Sequence, residues 1–196
     1  MTENLLPLII FAFSMSITPG PNNIMLTASG ANFGFKRTIP HIAGIMTGML
    51  FLFILSAMGL GVLFYTYPLL QTIMKICSAL YLIYLSFKIA LLKRTKKDDK
   101  KNKPLNMYQA IVFQFLNPKA LMMCITAIAT FTCEGSNYIM SSVLIISIFL
   151  LVCLPSISMW AGIGILISDF LENNYIFRGF NIFMGAMLIS SLWLIL

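Results

Sequence analysis

Six long apolar runs make up most of this 196-residue chain. A helix that crosses a bilayer needs about 20 mostly apolar residues, and every run meets that length. The runs are too long for the strands of a membrane barrel and lack strand alternation, so helices must satisfy their backbone groups. The sequence therefore predicts an all-α integral membrane protein, residues 1–196 forming a single transmembrane domain. The six predicted transmembrane helices cover residues 5–31, 39–64, 69–92, 108–131, 138–167 and 177–196.

Charged residues are scarce and unevenly distributed along the chain. They make up only 10% of it, against about 25% in a soluble domain. Most of the 13 Lys and Arg residues follow the first or third run or precede the sixth, and alternating helices place these segments on one side. Because short basic loops stay in the cytoplasm, we expect a multi-pass protein of the cell membrane (inner or plasma membrane), with both termini outside and the segment 93–106 in the cytoplasm. The net charge of +7 then reflects topology and contact with anionic membrane lipid, not nucleic-acid binding.

The basic segment 93–106 divides the chain into two halves of three helices each, about 1–92 and 107–196. An odd number of helices per half means that the second half enters the membrane inverted. In inverted-repeat proteins of this kind, the binding site lies near the midplane on interrupted helices at corresponding positions of the two halves. The sequence therefore predicts two inverted three-helix repeats with interrupted helices 1 and 4.

Both expected interruptions are present. The first run contains "TPGPNN" at residues 18–23, and the fourth contains "NPK" at residues 117–119. Each proline lacks an N–H and clashes with the carbonyl four residues earlier, so these carbonyls need other partners in lipid. Asn22 and Asn117 are suited to cap a restarted half-helix. A pair of structural kinks is the alternative, but the matching depth of the two breaks favours a binding site.

The residue types at the breaks suit a small zwitterion. Free N–H groups and the partial positive charge at the start of a half-helix favour an anion. Asparagine side chains supply both donors and an acceptor. We therefore expect a carboxylate at the half-helix ends and an amino group at freed carbonyls and amide oxygens, with no metal or other cofactor. The predicted substrate-binding residues are Thr18, Pro19, Gly20, Pro21, Asn22, Asn23, Asn117, Pro118 and Lys119.

Lys119 is the one ionisable side chain predicted to lie deep in the membrane. About ten helical residues lie on either side of it, roughly 15 Å at 1.5 Å per residue, which is too far for a lysine to reach an interface. Acidic residues all fall in loops or at helix ends, so no carboxylate partner is expected. Either the amine is neutral when the site is empty, or a substrate carboxylate joins it. If Lys119 gains a proton when substrate binds and loses it when substrate leaves, transport would be coupled to protons.

The same motifs resemble those of a known family. "ITPGPNN", "GFKRTIPHIAGIMTGM", "SALYLIYLSFKI" and "FQFLNPKA" are similar to the LysE/RhtB superfamily of bacterial amino-acid exporters, with "MWAG" and "RGFN" as weaker matches. The doubled asparagine and "ITAIATF" look most like the cysteine/O-acetylserine exporter branch. The resemblance implies a single transporter domain that effluxes small neutral amino acids by alternating access.

Other functions stay open at this point. A membrane-embedded enzyme would need a constellation of reactive side chains at depth, and only Lys119 is there. An accessory membrane subunit without transport activity would not explain two matched breaks. The expected partners are a small amino acid and membrane lipid. The sequence assigns no role to His41 or the four cysteines, and it leaves the amino acid, the coupling ion and the oligomeric state open, a homo-oligomer being one alternative.

Overall fold

The computed structural model describes residues 5–92, 103–133 and 135–194, and every regular element within them is helical. Most of the basic segment 93–106 and both chain ends, on which the predicted orientation depends, lie outside the described residues. One-turn 3₁₀ segments are Gly135–Asn137, Asp169–Glu172 and Ser191–Leu194. The α-helices are α1 (Leu5–Ile17), α2 (Pro21–Phe33), α3 (Phe35–Ala57), α4 (Leu60–Thr66), α5 (Pro68–Ala90), α6 (Met107–Leu116), α7 (Pro118–Phe131), α8 (Tyr138–Ser168) and α9 (Asn174–Ser190).

The lengths of these helices fit a membrane. Within the described residues, α3, α5, and α8 and α9 with their flanking turns are each long and apolar enough to cross a bilayer. The pairs α1–α2 and α6–α7 pass the same test together, bent by 54° and 68° at their breaks. Counting each bent pair as one span gives up to six spans. The predicted all-α membrane class is confirmed, and the interruptions of the first and fourth spans lie where the sequence places them.

The second span differs from its prediction. Residues 39–64 do not form one helix, because α3 begins at Phe35 and ends at Ala57, and α4 is a separate short helix. Gly34 and Gly59 have φ angles of 77° and 103°, a backbone conformation that favours glycine. Gly34 directly follows the end of α2, and Gly59 lies two residues after the end of α3. Hydropathy alone does not predict these two helix ends.

Glycines let helices from the two halves approach without side chains between them. A Cβ at Gly30 of α2 would overlap the Ala161 carbonyl of α8, and a Cβ at Gly164 of α8 would overlap the Thr27 carbonyl of α2. Gly44 of α3 lies equally close to the Met107 carbonyl of α6. Small residues at helix interfaces are the usual means of close packing in membranes. The contacts of α2 with α8 and of α3 with α6 are therefore backbone-to-backbone.

A matched pair of glycines on α8 tests this packing. We expect Gly164→Ala to lower the melting temperature of the purified protein, because overpacking a tight contact costs about 1–3 kcal/mol. Gly162 has no atom within 4 Å of an added Cβ, so Gly162→Ala is expected to leave stability unchanged or raise it by up to about 1 kcal/mol through helix propensity. Thermal unfolding in detergent measures both. Equal behaviour of the two variants would contradict a close α2–α8 contact.

Candidate functional site

The first break runs from the end of α1 at Ile17 to the start of α2 at Pro21. Gly20 is the N-cap residue, with extended backbone, and no side chain caps α2. The predicted capping role of Asn22 is wrong. Proline is favoured at the first helical position because its fixed φ suits the helix and its missing N–H needs no partner there. Pro21 takes that position, so Asn22 lies inside the helix, past the point where it could cap.

The second break forms as the sequence predicts. Asn117 separates α6 from α7, and its Oδ1 accepts a hydrogen bond of 3.2 Å from the backbone N–H of Lys119. Pro118 is the first residue of α7. Asn117 is 2% exposed, so the cap is buried within the protein. The predicted capping role of Asn117 is confirmed.

Side chains bind the carbonyls freed at the first break. Asn23 Nδ2 donates to the carbonyls of Ser16 and Thr18, at 2.9 Å each. Trp160 Nε1 of α8 donates to the Ile17 carbonyl at 3.1 Å. The break is thus held by one residue of its own motif and one from the opposite half of the chain. Sequence reasoning missed Trp160, whose only signal was the weak "MWAG" match.

The remaining proline-freed carbonyls also have partners in the protein. Thr18 Oγ1 shares its one hydroxyl hydrogen between the carbonyls of Ser14 and Met15, at 2.8 and 3.2 Å, and the Asn117 N–H donates to the Gln114 carbonyl at 3.2 Å. A ligand amino group would therefore have to share these carbonyls with donors that are already in place. Each carbonyl oxygen has two lone pairs, so sharing is chemically allowed.

Two sets of hydrogen bonds join the breaks to each other. The amides of Asn22 and Gln114 pair reciprocally: Asn22 Nδ2 donates to Gln114 Oε1 at 2.8 Å, and Gln114 Nε2 donates to Asn22 Oδ1 at 3.1 Å. Lys119 Nζ donates to the carbonyl and hydroxyl oxygens of Thr18, at 2.7 and 2.8 Å. Asn22 and Gln114 are 92 positions apart in the chain, and Thr18 and Lys119 are 101 positions apart. The two sequence motifs therefore form one site.

Lys119 lies against neutral groups at this site. Its two acceptors both belong to Thr18, and neither carries a charge. Its stem packs on Gly20, where an added Cβ would lie 2.9 Å from Lys119 Cδ. Lys119 also lies in the first turn of α7, where the helix dipole disfavours a cation. An anion bound here would improve the electrostatic balance of the site.

A cavity of about 380 Å³, a volume that includes its open mouth, lies between the breaks. Its polar lining comes from both motifs, and its apolar lining includes three methionines. Of the predicted site residues, Thr18, Pro19 and Pro118 are outside the lining, although Thr18 holds Lys119. Ser16 Oγ is buried in this region without a hydrogen-bond partner. The lining side chains and glycine are Met15, Ser16, Gly20, Pro21, Asn22, Asn23, Ile45, Met49, Asn117, Lys119, Ala120, Met123, Cys153 and Ile157.

A helical membrane protein whose interrupted helices meet around a cavity that their own polar residues help to line has the architecture of a secondary transporter. The sequence model of the LysE type translocator family matches residues 13–191, which include both breaks. The chain belongs to the LysE type translocator family. Membership confirms the resemblance drawn from the motifs, and it places the chain in a family of translocators, not of enzymes.

The names of similar curated proteins are more specific than the family description. The cysteine/O-acetylserine efflux proteins of Escherichia coli strain K12 and Shigella flexneri serotype 5b (strain 8401) are each 32% identical to the chain over 116 residues. The aligned part covers 59% of this chain and 59% of each relative, so the chain spans less than two thirds of the relatives it matches. No solved structure gives a significant match.

Proposed function

We propose that the chain exports a small neutral amino acid across the inner membrane, with cysteine and O-acetylserine as the first candidates. The observation that carries the proposal is the meeting of the two helix breaks around a cavity, in a member of a translocator family. The efflux activity named for the relatives supports the choice of substrate. Because the match covers only part of those relatives, the substrate needs a direct transport test.

The residues around the cavity suggest how an amino acid is held. The carboxylate binds between Lys119 Nζ and the start of α7, where ammonium and helix dipole both favour an anion. The amino group binds the amide oxygens and shared carbonyls of the first break. The side chain lies against Met49, Met123 and Cys153, a soft apolar wall that accommodates small groups of varied shape,.

Packing between the halves supports the proposal of two inverted repeats with alternating access. The bent pair α1–α2 packs against α8, and the bent pair α6–α7 packs against α3. The first span of each half thus contacts the second span of the other half, and the third spans, α5 and α9, contact each other. Two related halves joined by a two-fold axis would produce this exchange. Rocking of one packed bundle against another would then expose the cavity to each side in turn.

Transport by the purified protein in proteoliposomes tests the function. Vesicles preloaded with one labelled amino acid at a time are followed for release, with cysteine, O-acetylserine, serine, leucine, lysine and glutamate as the panel. We expect release of cysteine or O-acetylserine, faster when a proton gradient is imposed. Empty vesicles and vesicles with Lys119→Met are the controls. Release of no member of the panel above these controls would favour an accessory membrane subunit over an exporter.

The orientation proposed from the basic segment has its own test. In a variant whose native cysteines are replaced by alanine, Lys97→Cys is expected to resist a membrane-impermeant maleimide applied to intact cells, because short basic segments stay in the cytoplasm. Tyr65 is exposed in α4, between α3 and α5, where the proposed topology places the chain outside the cell. Tyr65→Cys is therefore the matched control and should react. Reaction at Lys97→Cys with protection at Tyr65→Cys would reverse the proposed topology.

A further inference from the structure

A second cavity follows the first along the same two helices. It has a volume of about 430 Å³ including its open mouth, and it lies between α2, α3, the end of α5 and the segment before α6. On α2, Asn22 and Asn23 line the first cavity, and Met25 and Ala28 line the second. On α3, Ile45 lines the first and His41, one turn earlier, lines the second. The two cavities are therefore neighbours along α2 and α3.

His41 is the unexplained residue of the second cavity. Its side chain is 1% exposed, and neither ring nitrogen has a hydrogen-bond partner. A buried polar group without a partner costs about 1–3 kcal/mol, and native proteins rarely retain one without a reason. In the wall of a cavity, such a group points to a ligand that completes its hydrogen bonds.

The charges around this cavity favour an anionic group. Lys88 and Lys103 line it, and no acidic side chain does so among the described residues. Lys88 lies in the last turn of α5, where the helix dipole favours a cation. Both lysines are exposed, so their ammonium groups can meet a solute that enters from this side. A carboxylate is the matching group.

Ser29 and His41 supply the complementary acceptors. Thr38 donates its only hydroxyl hydrogen to the Gly34 carbonyl, so Ser29 must donate in the 2.8 Å hydrogen bond between Ser29 and Thr38. Ser29 Oγ then keeps acceptor capacity but no free donor. A neutral histidine likewise has one nitrogen that only accepts. The cavity thus has ammonium donors at its rim and acceptors inside.

We propose that the second cavity binds the amino-acid zwitterion before the amino acid reaches the first cavity. The carboxylate binds Lys88 and Lys103, the amino group binds Ser29 and His41, and the apolar wall contacts the side chain. The inference rests on the proposed function for the identity of the ligand. The second cavity would then be an entry site on the side of the basic segment, one helical turn of α3 from the first cavity.

Protection of an engineered thiol gives a readout local to this cavity. Leu92 lines the second cavity and is half-buried, so Leu92→Cys places a thiol there. The background variant has alanine in place of the native cysteines, and it carries Lys119→Met to disable binding in the first cavity. We expect O-acetylserine at ten times its Kd to slow alkylation by N-ethylmaleimide about tenfold, in proportion to occupancy. Adding Lys88→Gln and Lys103→Gln should remove the protection. Lys36→Gln removes one charge near the start of α3, outside the cavity, and should retain it.

The same assay separates the alternatives. Inorganic phosphate, and nanodiscs that contain phosphatidylglycerol in place of phosphatidylcholine, are tested without amino acid. Protection by either of these with none by O-acetylserine overturns the proposal in favour of an anion or lipid site. Protection that survives loss of both lysines also overturns it. If the wild type transports in proteoliposomes but Leu92→Cys is never protected, only the second site is refuted and the proposed export function stands.

Discussion

Replacing Lys119 by methionine is expected to abolish the proposed amino-acid efflux, while the folded protein still reaches the membrane. Methionine keeps the length of the stem that packs on Gly20, but it removes the ammonium and with it both hydrogen bonds to Thr18. The proposed carboxylate site then loses the one basic side chain among the described residues that line it. Efflux in proteoliposomes and substrate affinity of the purified variant measure the effect. We expect no efflux above empty vesicles and at least a tenfold loss of affinity, about 1.4 kcal/mol.

Arginine at this position separates charge from proton transfer. Lys119→Arg keeps a cation at the start of α7, but a guanidinium stays protonated in proteins. We expect Lys119→Arg to bind substrate yet to transport poorly, because release would require a neutral side chain. Lys75→Met, an exposed lysine on α5 away from the cavity, is the control for loss of a lysine and should transport normally. Wild-type affinity in Lys119→Met would mean that Lys119 does not hold the carboxylate.

Asn22→Leu is expected to abolish efflux for a different reason. It removes a polar group from the cavity and leaves Gln114, which is fully buried, without its reciprocal partner. Gln114 Nε2 still donates to the Ala110 carbonyl at 3.1 Å, but Gln114 Oε1 loses its donor. A buried acceptor without a donor costs about 1–3 kcal/mol, so the melting temperature should also fall. Asn117→Leu should likewise stop efflux, since it removes a cavity residue and the cap of α7, the cap alone contributing about 1 kcal/mol.

A double variant separates stability from function at this amide pair. Replacing both partners of a hydrogen bond by apolar groups of similar shape is often nearly neutral. We therefore expect Asn22→Leu with Gln114→Leu to recover much of the melting temperature lost in Asn22→Leu, yet to remain inactive in proteoliposomes. Efflux by the stabilised double variant would show that the pair is structural and that Asn22 does not contact substrate.

Local sequence signals predicted the breaks and failed at their long-range partners. Proline, glycine and asparagine act on the backbone within a few residues, so the positions of both breaks and the Asn117 cap could be predicted without a fold. The pairing of Asn22 with Gln114 and of Trp160 with the Ile17 carbonyl depends on which helices become neighbours. Hydropathy does not contain that information, since any buried face can pack against several others.

The wrong interpretations have equally physical causes. The sequence predicts a cap at Asn22 because asparagine favours caps, but the second proline of the motif determines where α2 starts. Hydropathy does not predict the end of α3, because Gly59 lies in an apolar run and only its positive φ shows that the helix stops there. The sequence offers Lys119 no carboxylate partner and does not indicate its neutral ones, which are the carbonyl and hydroxyl of Thr18.

The glycine contacts described above determine which helices can move together. Gly30 and Gly164 bring the backbones of α2 and α8 into contact, and Gly44 does the same for α3 and α6. Sliding at such a surface meets carbonyl oxygens directly, with no flexible side chain to absorb the displacement. Each tightly joined pair takes one helix from each half of the chain. If the proposed rocking occurs, we therefore expect its mechanical units to be pairs drawn from both halves, and the covalent order of the helices to be a poor guide to the moving parts.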